Sequence, residues 1–175
     1  AARDPKGLAL RLASVAAVLL FAAVVVRCAW VSDDAFITFR VIDNVLDGYG
    51  LRWNIAERVQ VYTHPLWMLV LIPFHEVAGA YGGTLALSVA MGIALAAALA
   101  FGVARTPANG LAAVIGLLSS KAVVDYTTSG LENPLTHLLL LAFLATLSAR
   151  EERWRPGLLT CLAGLLVMCR PDAAL

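Results

Sequence analysis

Two adjacent aspartates, Asp33 and Asp34, have the residue type and the position for acid–base chemistry. They follow directly after a long apolar segment, so their carboxylates lie where solvation is poorer than in bulk water. A neighbouring like charge and partial desolvation both make a carboxylate a better general base at neutral pH. The alternative role is capping of the helix that follows, which explains one aspartate well and two less well. We therefore take the pair as the candidate catalytic residues.

A second group of polar side chains lies in the stretch that leads back into the next apolar segment. Arginine and histidine at a membrane surface can neutralise a lipid phosphate, so we hypothesise that Arg58 and His64 bind one. A histidine at the interface without a function is the alternative for His64. The residues of this stretch expected to contact substrate are Asn54, Glu57, Arg58, Tyr62 and His64.

Acidic residues also stand at the ends of two later apolar segments. A carboxylate at membrane depth is costly and is a functional candidate by default, which applies to Glu132 and Asp172. Arg170 stands beside Asp172, so a simple ion pair is the alternative for these two. The acidic residues lack the tight spacing of a cation site. We therefore expect no required metal or other cofactor, with a divalent metal as the alternative.

The chain that must position these residues is strongly apolar. Of its 175 residues, 61% are hydrophobic and 14% are charged, and the mean hydropathy is +0.82. Soluble domains carry about 25% charged residues, whereas a membrane helix needs about 20 mostly apolar residues. Uncharged runs that approach this length with their flanks occur at 12–26, 77–104, 106–120, 133–149 and 156–169. The pattern predicts an all-α, polytopic transmembrane bundle, and the net charge of +1 gives no reason to expect a nucleic-acid partner.

The distribution of charge predicts the orientation. Lysine and arginine concentrate on the cytoplasmic side, which puts the N-terminal flank and the arginine-rich stretch 150–155 inside, and the polar loop 32–64 outside. The expected helices are about 8–31, 65–79, 84–104, 109–124, 134–149 and 156–169. This orientation needs an even number of crossings between the outer loop and residue 125, yet three segments lie there. Either 65–79 or 109–124 therefore does not cross.

The first part of the outer loop is expected to form an amphipathic helix in the membrane interface. At about 100° per residue, its polar residues share one side and its apolar residues cover the other. Because Arg40 on the polar side can hold Asp33 ionised as a structural pair, Asp34 is favoured as the base. The polar side holds Asp33, Arg40, Asn44 and Asp47, and the apolar side holds Ala35, Thr38, Phe39, Ile42 and Leu46.

Several strings occur in order along the polar loop and after it. They are Asp-Asp-Ala-Phe-Ile-Thr-Phe-Arg at 33–40, Asn44, Gly48-x-Gly50, Trp-Asn at 53–54, Glu-Arg-Val at 57–59 and Tyr-Thr-His-Pro-Leu-Trp at 62–67, with the weaker Thr-Ser-Gly-Leu-Glu-Asn-Pro-Leu at 128–135 and Arg-Pro-Asp at 170–172. Together these strings resemble the first outer loop of bacterial membrane glycosyltransferases of the C fold. The similarity is greatest to the branch that includes arabinofuranosyltransferases of cell-envelope assembly and pilin modification.

The resemblance implies a reaction and a location. Members of the family transfer a sugar from a polyprenyl-phosphate carrier to an envelope glycan, lipid or protein at the outer face of the bacterial inner membrane, and arabinofuranose is one candidate sugar. An aspartate of the first loop is the catalytic base, which corresponds to Asp33 or Asp34. Members often continue to a periplasmic C-terminal domain, so residues 1–175 are expected to be the N-terminal part of the transmembrane module. The residues expected to bind substrate are Arg40, Asn44, Asn54, Glu57, Arg58, Tyr62, His64, Glu132, Arg170 and Asp172.

A transporter or flippase of lipid-linked sugars is the alternative from another class of protein. A transporter would place ionisable residues near the middle of its helices, along a pathway. In this chain nearly all of them stand at helix ends on one side. The pattern therefore favours an enzyme whose active site lies at the membrane surface.

The orientation can be tested with single cysteines at Asn54 and Glu152 in a cysteine-free background. We expect an impermeant thiol reagent to label position 54 in intact cells and position 152 only after lysis, because the arginines near 152 are expected inside. Equal labelling of both positions in intact cells would contradict this orientation.

Overall fold

A computed structural model describes residues 5–57, 59–149 and 153–174 of the chain. All regular secondary structure among these residues is helical, which confirms the predicted all-α class. The α-helices are α1 (Pro5–Arg27), α2 (Ala35–Leu46), α3 (Pro65–Ala97), α4 (Pro107–Ser119), α5 (Lys121–Thr127), α6 (Asn133–Ser148) and α7 (Arg155–Cys169). A π-helical segment, Ala98–Val103, continues α3, and a 3-10 helix, Pro171–Ala174, follows α7.

Two helical stretches in the described part of the chain are long and apolar enough to span a membrane. They are α1, with 23 residues, and Pro65–Val103, with 39 residues. Helices α4 and α5 are bent by 75° relative to each other and would add a third span if they cross as one unit. Helices α6 and α7 are apolar but shorter, with 16 and 15 residues. The expectation of membrane helices is thus supported, and the number of crossings stays a prediction.

Helix α3 is broken at Gly79, which has a non-helical φ of 71° and ψ of 169°. Nine residues of continuous helix extend about 13 Å, yet Gly83 packs directly against the carbonyl of Phe74, so that a Cβ on Gly83 would collide with it. Leu71 and Leu87, on opposite sides of the break, also share one hydrophobic cluster. The chain therefore folds back at Gly79, and we refer to 65–78 and 80–97 as the first and second halves of α3.

The first half of α3 lies along α2. His75 Nε2 is 2.7 Å from Asp43 Oδ1 on α2, and Trp67 Nε1 donates to the carbonyl of Gly130 at 2.9 Å. The second half runs antiparallel to α1. Gly92 packs beside Phe21, whereas Ala100, in the π-helical segment that follows, lines a small cavity with Arg11. The first half therefore packs on α2 and the second half on α1, and which of the apolar segments does not cross the membrane stays a prediction.

The bundle has two distinguishable ends. Helix α2, the first half of α3 and the turn 128–132 lie at one end, which we call the α2 end, and there Ser32 N–H donates to the carbonyl of Ser129 at 2.8 Å. The opposite end carries a cavity of about 110 Å³ lined by Arg11, Ser14, Ala100, Phe101, Ala104, Arg105, Thr106 and Pro107. Arg11 and Arg105 line this second cavity, but Arg40 and Arg170 lie at the α2 end, so the orientation in the membrane stays a prediction.

Helix α2 is amphipathic, as its sequence predicts. Asp33, Arg40 and Asp47 are exposed, whereas the opposite face is buried against the first half of α3. Two residues depart from the pattern: Leu46 is 40% exposed, and Asn44, which was expected on the polar side, is buried. The buried cluster formed by the two helices includes Ala35, Phe39, Val41, Ile42, Trp67, Met68 and Leu71. Burial of this face fixes the rotation of α2 and hence the direction in which its remaining side chains point.

Gly130 lets the 128–132 turn approach α2 closely. Its φ is +83°, and an added Cβ would lie 2.6 Å from the Cβ of Ala35 and 3.1 Å from Val31 Cγ1. Gly48 has nearly the same φ, +82°, but open space around the position of a Cβ. Both glycines therefore meet the requirement for a positive φ, but only Gly130 also lacks the space for a side chain.

We expect Gly130→Ala to destabilise the protein more than Gly48→Ala. Both substitutions carry the backbone cost of about 1–2 kcal/mol for a left-handed residue, and only Gly130→Ala adds an overpacking cost of about 1–3 kcal/mol. Thermal unfolding of both variants in detergent measures the difference. Equal losses of stability would mean that the close approach of the turn to α2 is wrong.

Candidate active site

A cavity of about 330 Å³ opens at the α2 end of the bundle. Three segments that are far apart in sequence line it: α2, the stretch that precedes α3, and the turn that precedes α6. The lining residues are Asp34, Ile37, Thr38, Val61, Tyr62, Thr63, His64, Leu131 and Glu132. Four residues singled out from the sequence, Asp34, Tyr62, His64 and Glu132, are thereby brought together.

His64 is held between a hydroxyl and a carboxylate. Its Nε2 is 2.9 Å from Thr38 Oγ1, and its Nδ1 is 3.4 Å from Glu132 Oε2 and 3.3 Å from the hydroxyl of the neighbouring Thr63. The His64 and Glu132 side chains are only 12% and 13% exposed. Burial lowers the pKa of His64, and the nearby Glu132 carboxylate opposes this effect without cancelling it. The imidazole is therefore uncharged at neutral pH, and the carboxylate beside Nδ1 favours the tautomer with its proton on Nδ1.

Arg170 extends this arrangement towards the end of α7. Its Nη1 lies 3.9 Å from Glu132 Oε1 and 3.4 Å from Asn133 Oδ1. Its Nε donates to both carboxylate oxygens of Asp172 at 2.9 and 3.0 Å. The ion pair that the sequence left as an alternative is thus present, and the same arginine also approaches the carboxylate behind His64. Neither Arg170 nor Asp172 lines the cavity.

The two aspartates have different surroundings. Asp33 Oδ1 accepts hydrogen bonds from the Asp34 N–H at 3.0 Å and from the Ser32 hydroxyl at 3.2 Å, which are local contacts at the start of α2. Asp34 lines the cavity. The geometry therefore gives Asp33 a local structural role and gives Asp34 access to a bound molecule.

The expectation that Arg40 holds Asp33 is wrong. Arg40 Nε donates to the carbonyl of Trp53 at 3.0 Å, its Nη2 lies 3.5 Å from Asn54 Oδ1, and its guanidinium lies 4.9 Å from the centre of the Trp53 ring. The helical period puts Arg40 and Asp33 on one side of α2. However, the loop after α2 folds back, and Arg40 forms its contacts with that loop.

Asn44 makes similar contacts with the same loop. Its side-chain amide donates to the carbonyls of Arg52 at 2.8 Å and Trp53 at 2.9 Å. The Glu57 N–H donates to the Asn54 carbonyl at 3.2 Å, which closes a turn in the loop. Arg40, Asn44, Asn54 and Glu57 therefore support the loop after α2 and do not line the cavity. Arg58, the other expected phosphate ligand, lies outside the described residues.

Sequence reasoning missed Thr38 and His75. Helical periodicity puts Thr38 on the apolar side of α2, yet Thr38 stands four residues after Asp34, a spacing that brings two side chains together on a helix. His75 is buried and paired with Asp43, and its signal was a histidine that interrupts an apolar run. Trp67 ends the Tyr-Thr-His-Pro-Leu-Trp string, and its hydrogen bond to the Gly130 carbonyl gives this residue a structural role.

A metal site is not evident in this region. Among the residues described, no group of three or more histidine, cysteine, aspartate or glutamate side chains could hold a metal ion. The cavity instead offers carboxylate, imidazole, hydroxyl and phenol groups beside apolar side chains. Such a set suits a ligand with a charged or polar head and a hydrophobic tail.

The chain is similar to proteins of known name. It is 31% identical over 170 residues to a protein of Mycobacterium tuberculosis named terminal beta-(1->2)-arabinofuranosyltransferase, covering 83% of this chain and 26% of that protein. A protein of the same name from Corynebacterium glutamicum is 32% identical over 110 residues, covering 59% of this chain and 16% of that protein. The chain thus spans about a quarter or less of the length of these relatives. No family model and no solved structure matches it.

Proposed function

We propose that this chain is part of a membrane glycosyltransferase that moves a sugar from a polyprenyl-phosphate donor to a hydroxyl of an envelope glycan, lipid or protein. The observation that carries the proposal is the convergence of Asp34, His64 and Glu132, from three distant segments, on one cavity. The names of the relatives make arabinofuranose the first candidate for the sugar. The donor, the acceptor and the C fold are parts of this proposal.

The active site faces the outside of the cell in this proposal. Arg11 and Arg105 lie at the end of the bundle opposite the cavity. Helices α6 and α7 also meet at that opposite end, because their other ends carry Glu132 and Arg170. The stretch 150–155, which follows α6 and leads to α7, contains three arginines. Because arginines concentrate on the cytoplasmic side, we place the cavity at the outer surface of the bacterial plasma membrane.

Asp34 is the general base of the reaction. It accepts the proton of the acceptor hydroxyl while the hydroxyl oxygen forms a bond to the anomeric carbon of the donor sugar. The bond between that carbon and the phosphate oxygen breaks, and its electron pair stays on the phosphate. The proton on Asp34 then passes to solvent.

The rest of the cavity accommodates the two parts of the lipid carrier. Tyr62 lies beside Asp34 and is a proposed phosphate ligand, together with Arg58 of the same stretch. His64, whose ring nitrogens face Thr38 and Glu132, is proposed to act on the phosphate through its charge. Ile37, Val61 and Leu131 supply an apolar lining for the first prenyl units. A transporter of lipid-linked sugars is not favoured, since these ionisable groups gather at one end of the bundle.

We expect Asp34→Asn to lower turnover by about 10²–10⁴-fold, the usual contribution of a general base, while donor binding stays near normal. The matched control is Asp33→Asn, because an asparagine oxygen at position 33 can still accept the two local hydrogen bonds. That control should keep most of the activity. The measurement is transfer of radiolabelled arabinose from a polyprenyl-phosphoryl donor by the full-length protein.

Two results would contradict these roles. Near-normal turnover of Asp34→Asn would remove Asp34 as the base. A loss of turnover in Asp33→Asn as large as that in Asp34→Asn would mean that the two carboxylates act as a unit and not as a base and a helix-start residue.

A further inference from the structure

Thr38 and His64 line the same cavity and contact each other. The Thr38 side chain is only 1% exposed, yet it lines the cavity together with Asp34 one turn before it. Its hydroxyl and the Nε2 of His64 are 2.9 Å apart. A hydroxyl has one proton to donate and two lone pairs, so the direction of its proton depends on what the imidazole offers.

The protonation state of His64 therefore sets what Thr38 presents to the cavity. With the proton of neutral His64 on Nδ1, towards Glu132, Nε2 is an acceptor and the Thr38 hydroxyl must donate to it. When His64 is charged, both ring nitrogens carry protons. Nε2 then donates to Thr38 Oγ1, and the hydroxyl proton of Thr38 is free to point at a ligand.

We propose that Thr38 binds the donor phosphate and that its hydroxyl turns towards the phosphate when His64 takes up a proton, so that the site binds one proton together with the anionic donor. The ligand class, a lipid phosphodiester, rests on the proposed function. The coupling between Thr38 and His64 goes beyond it.

The charged groups around His64 favour proton uptake on binding. Glu132 of α6 faces Nδ1, Arg170 of α7 lies on the far side of that carboxylate, and Asp34 of α2 and Tyr62 line the same cavity. Burial keeps the imidazole uncharged in the empty site, with its pKa below the ordinary range. A phosphate anion on the cavity side adds a negative charge opposite Glu132, which raises the pKa of His64 in the complex.

The proton also suits the chemistry of transfer. When the bond from the sugar to the phosphate breaks, the phosphodiester with one negative charge becomes a phosphomonoester whose charge approaches about −2. A hydrogen bond to a group that gains charge strengthens as the reaction proceeds. The acceptor proton has gone to Asp34, so the proton on His64 stays in place until the phosphomonoester leaves, and then returns to solvent.

The sign of the pH dependence follows from these two pKa values. At a pH above the pKa of His64 in the complex, His64 stays neutral, and proton uptake adds nothing to the affinity for the donor. As the pH falls through that value the affinity rises, and it levels off below the lower pKa of the empty site. A phosphodiester is the correct probe, because a phosphomonoester titrates itself near pH 6.

The test measures the affinity of full-length protein in nanodiscs for farnesyl-phosphoryl-arabinofuranose between pH 5.5 and 8.5, without acceptor. We expect wild-type affinity to increase several-fold as the pH falls. Thr38→Val keeps the shape but removes the hydroxyl, so its affinity at pH 6 should be about tenfold to a hundredfold weaker with a flattened profile. Thr38→Ser should restore the profile, and His64→Gln should give a flat one.

Every other outcome counts against the proposal. If Thr38→Val keeps the wild-type pH profile, or Thr38→Ser does not restore it, Thr38 does not carry the coupling, even where the protein binds and transfers the sugar. If the wild-type protein binds farnesol as tightly as the phosphodiester, the site does not recognise the phosphate. Both the proposed function and this inference would then be wrong.

Discussion

The turn at Ser129 and Gly130 holds the three parts of the site together. The Ser129 carbonyl accepts the N–H of Ser32 at 2.8 Å, just before α2, and the Gly130 carbonyl accepts the indole N–H of Trp67 at 2.9 Å, just after His64. Glu132 follows two residues later. Both acceptors are backbone atoms, and the Trp67 ring and Gly130 lie in a closely packed region. The separation of the lining segments therefore depends on this one turn, and the positions of Asp34, His64 and Glu132 depend on it as well.

Burial also determines the charge of His64 in the empty site. An uncompensated charge away from water is costly, and the protein avoids that cost by keeping His64 neutral while Glu132, with Arg170 nearby, stays at the edge of the cavity. An arriving anion changes this balance, because it supplies the second negative charge that a charged imidazole needs. A site built in this way is poised to bind an anion and a proton together, which a solvated histidine would do far less strongly.

Several features of the fold and the site could be predicted from the sequence. Helical periodicity predicts most of the buried face of α2, and it places Asp34 off the polar stripe, where the structure has it lining the cavity. The contacts of Arg40 and Asn44 were missed because periodicity describes one helix and says nothing about the loop that folds back on it. Thr38 and Glu132 are 94 residues apart in sequence and meet on opposite sides of His64 only through the turn at Gly130, a contact that no local pattern encodes.

The central claim is that the donor lipid occupies the cavity formed by these three segments. Photo-crosslinking tests it directly, with a polyprenyl-phosphoryl sugar that carries a diazirine on its first isoprene unit and with mass-spectrometric mapping of the labelled peptides. The account predicts adducts near Ile37, Val61 and Leu131, which form the apolar lining, and competition by unlabelled donor. Competable adducts confined to the opposite cavity, beside Arg11 and Phe101, would contradict it.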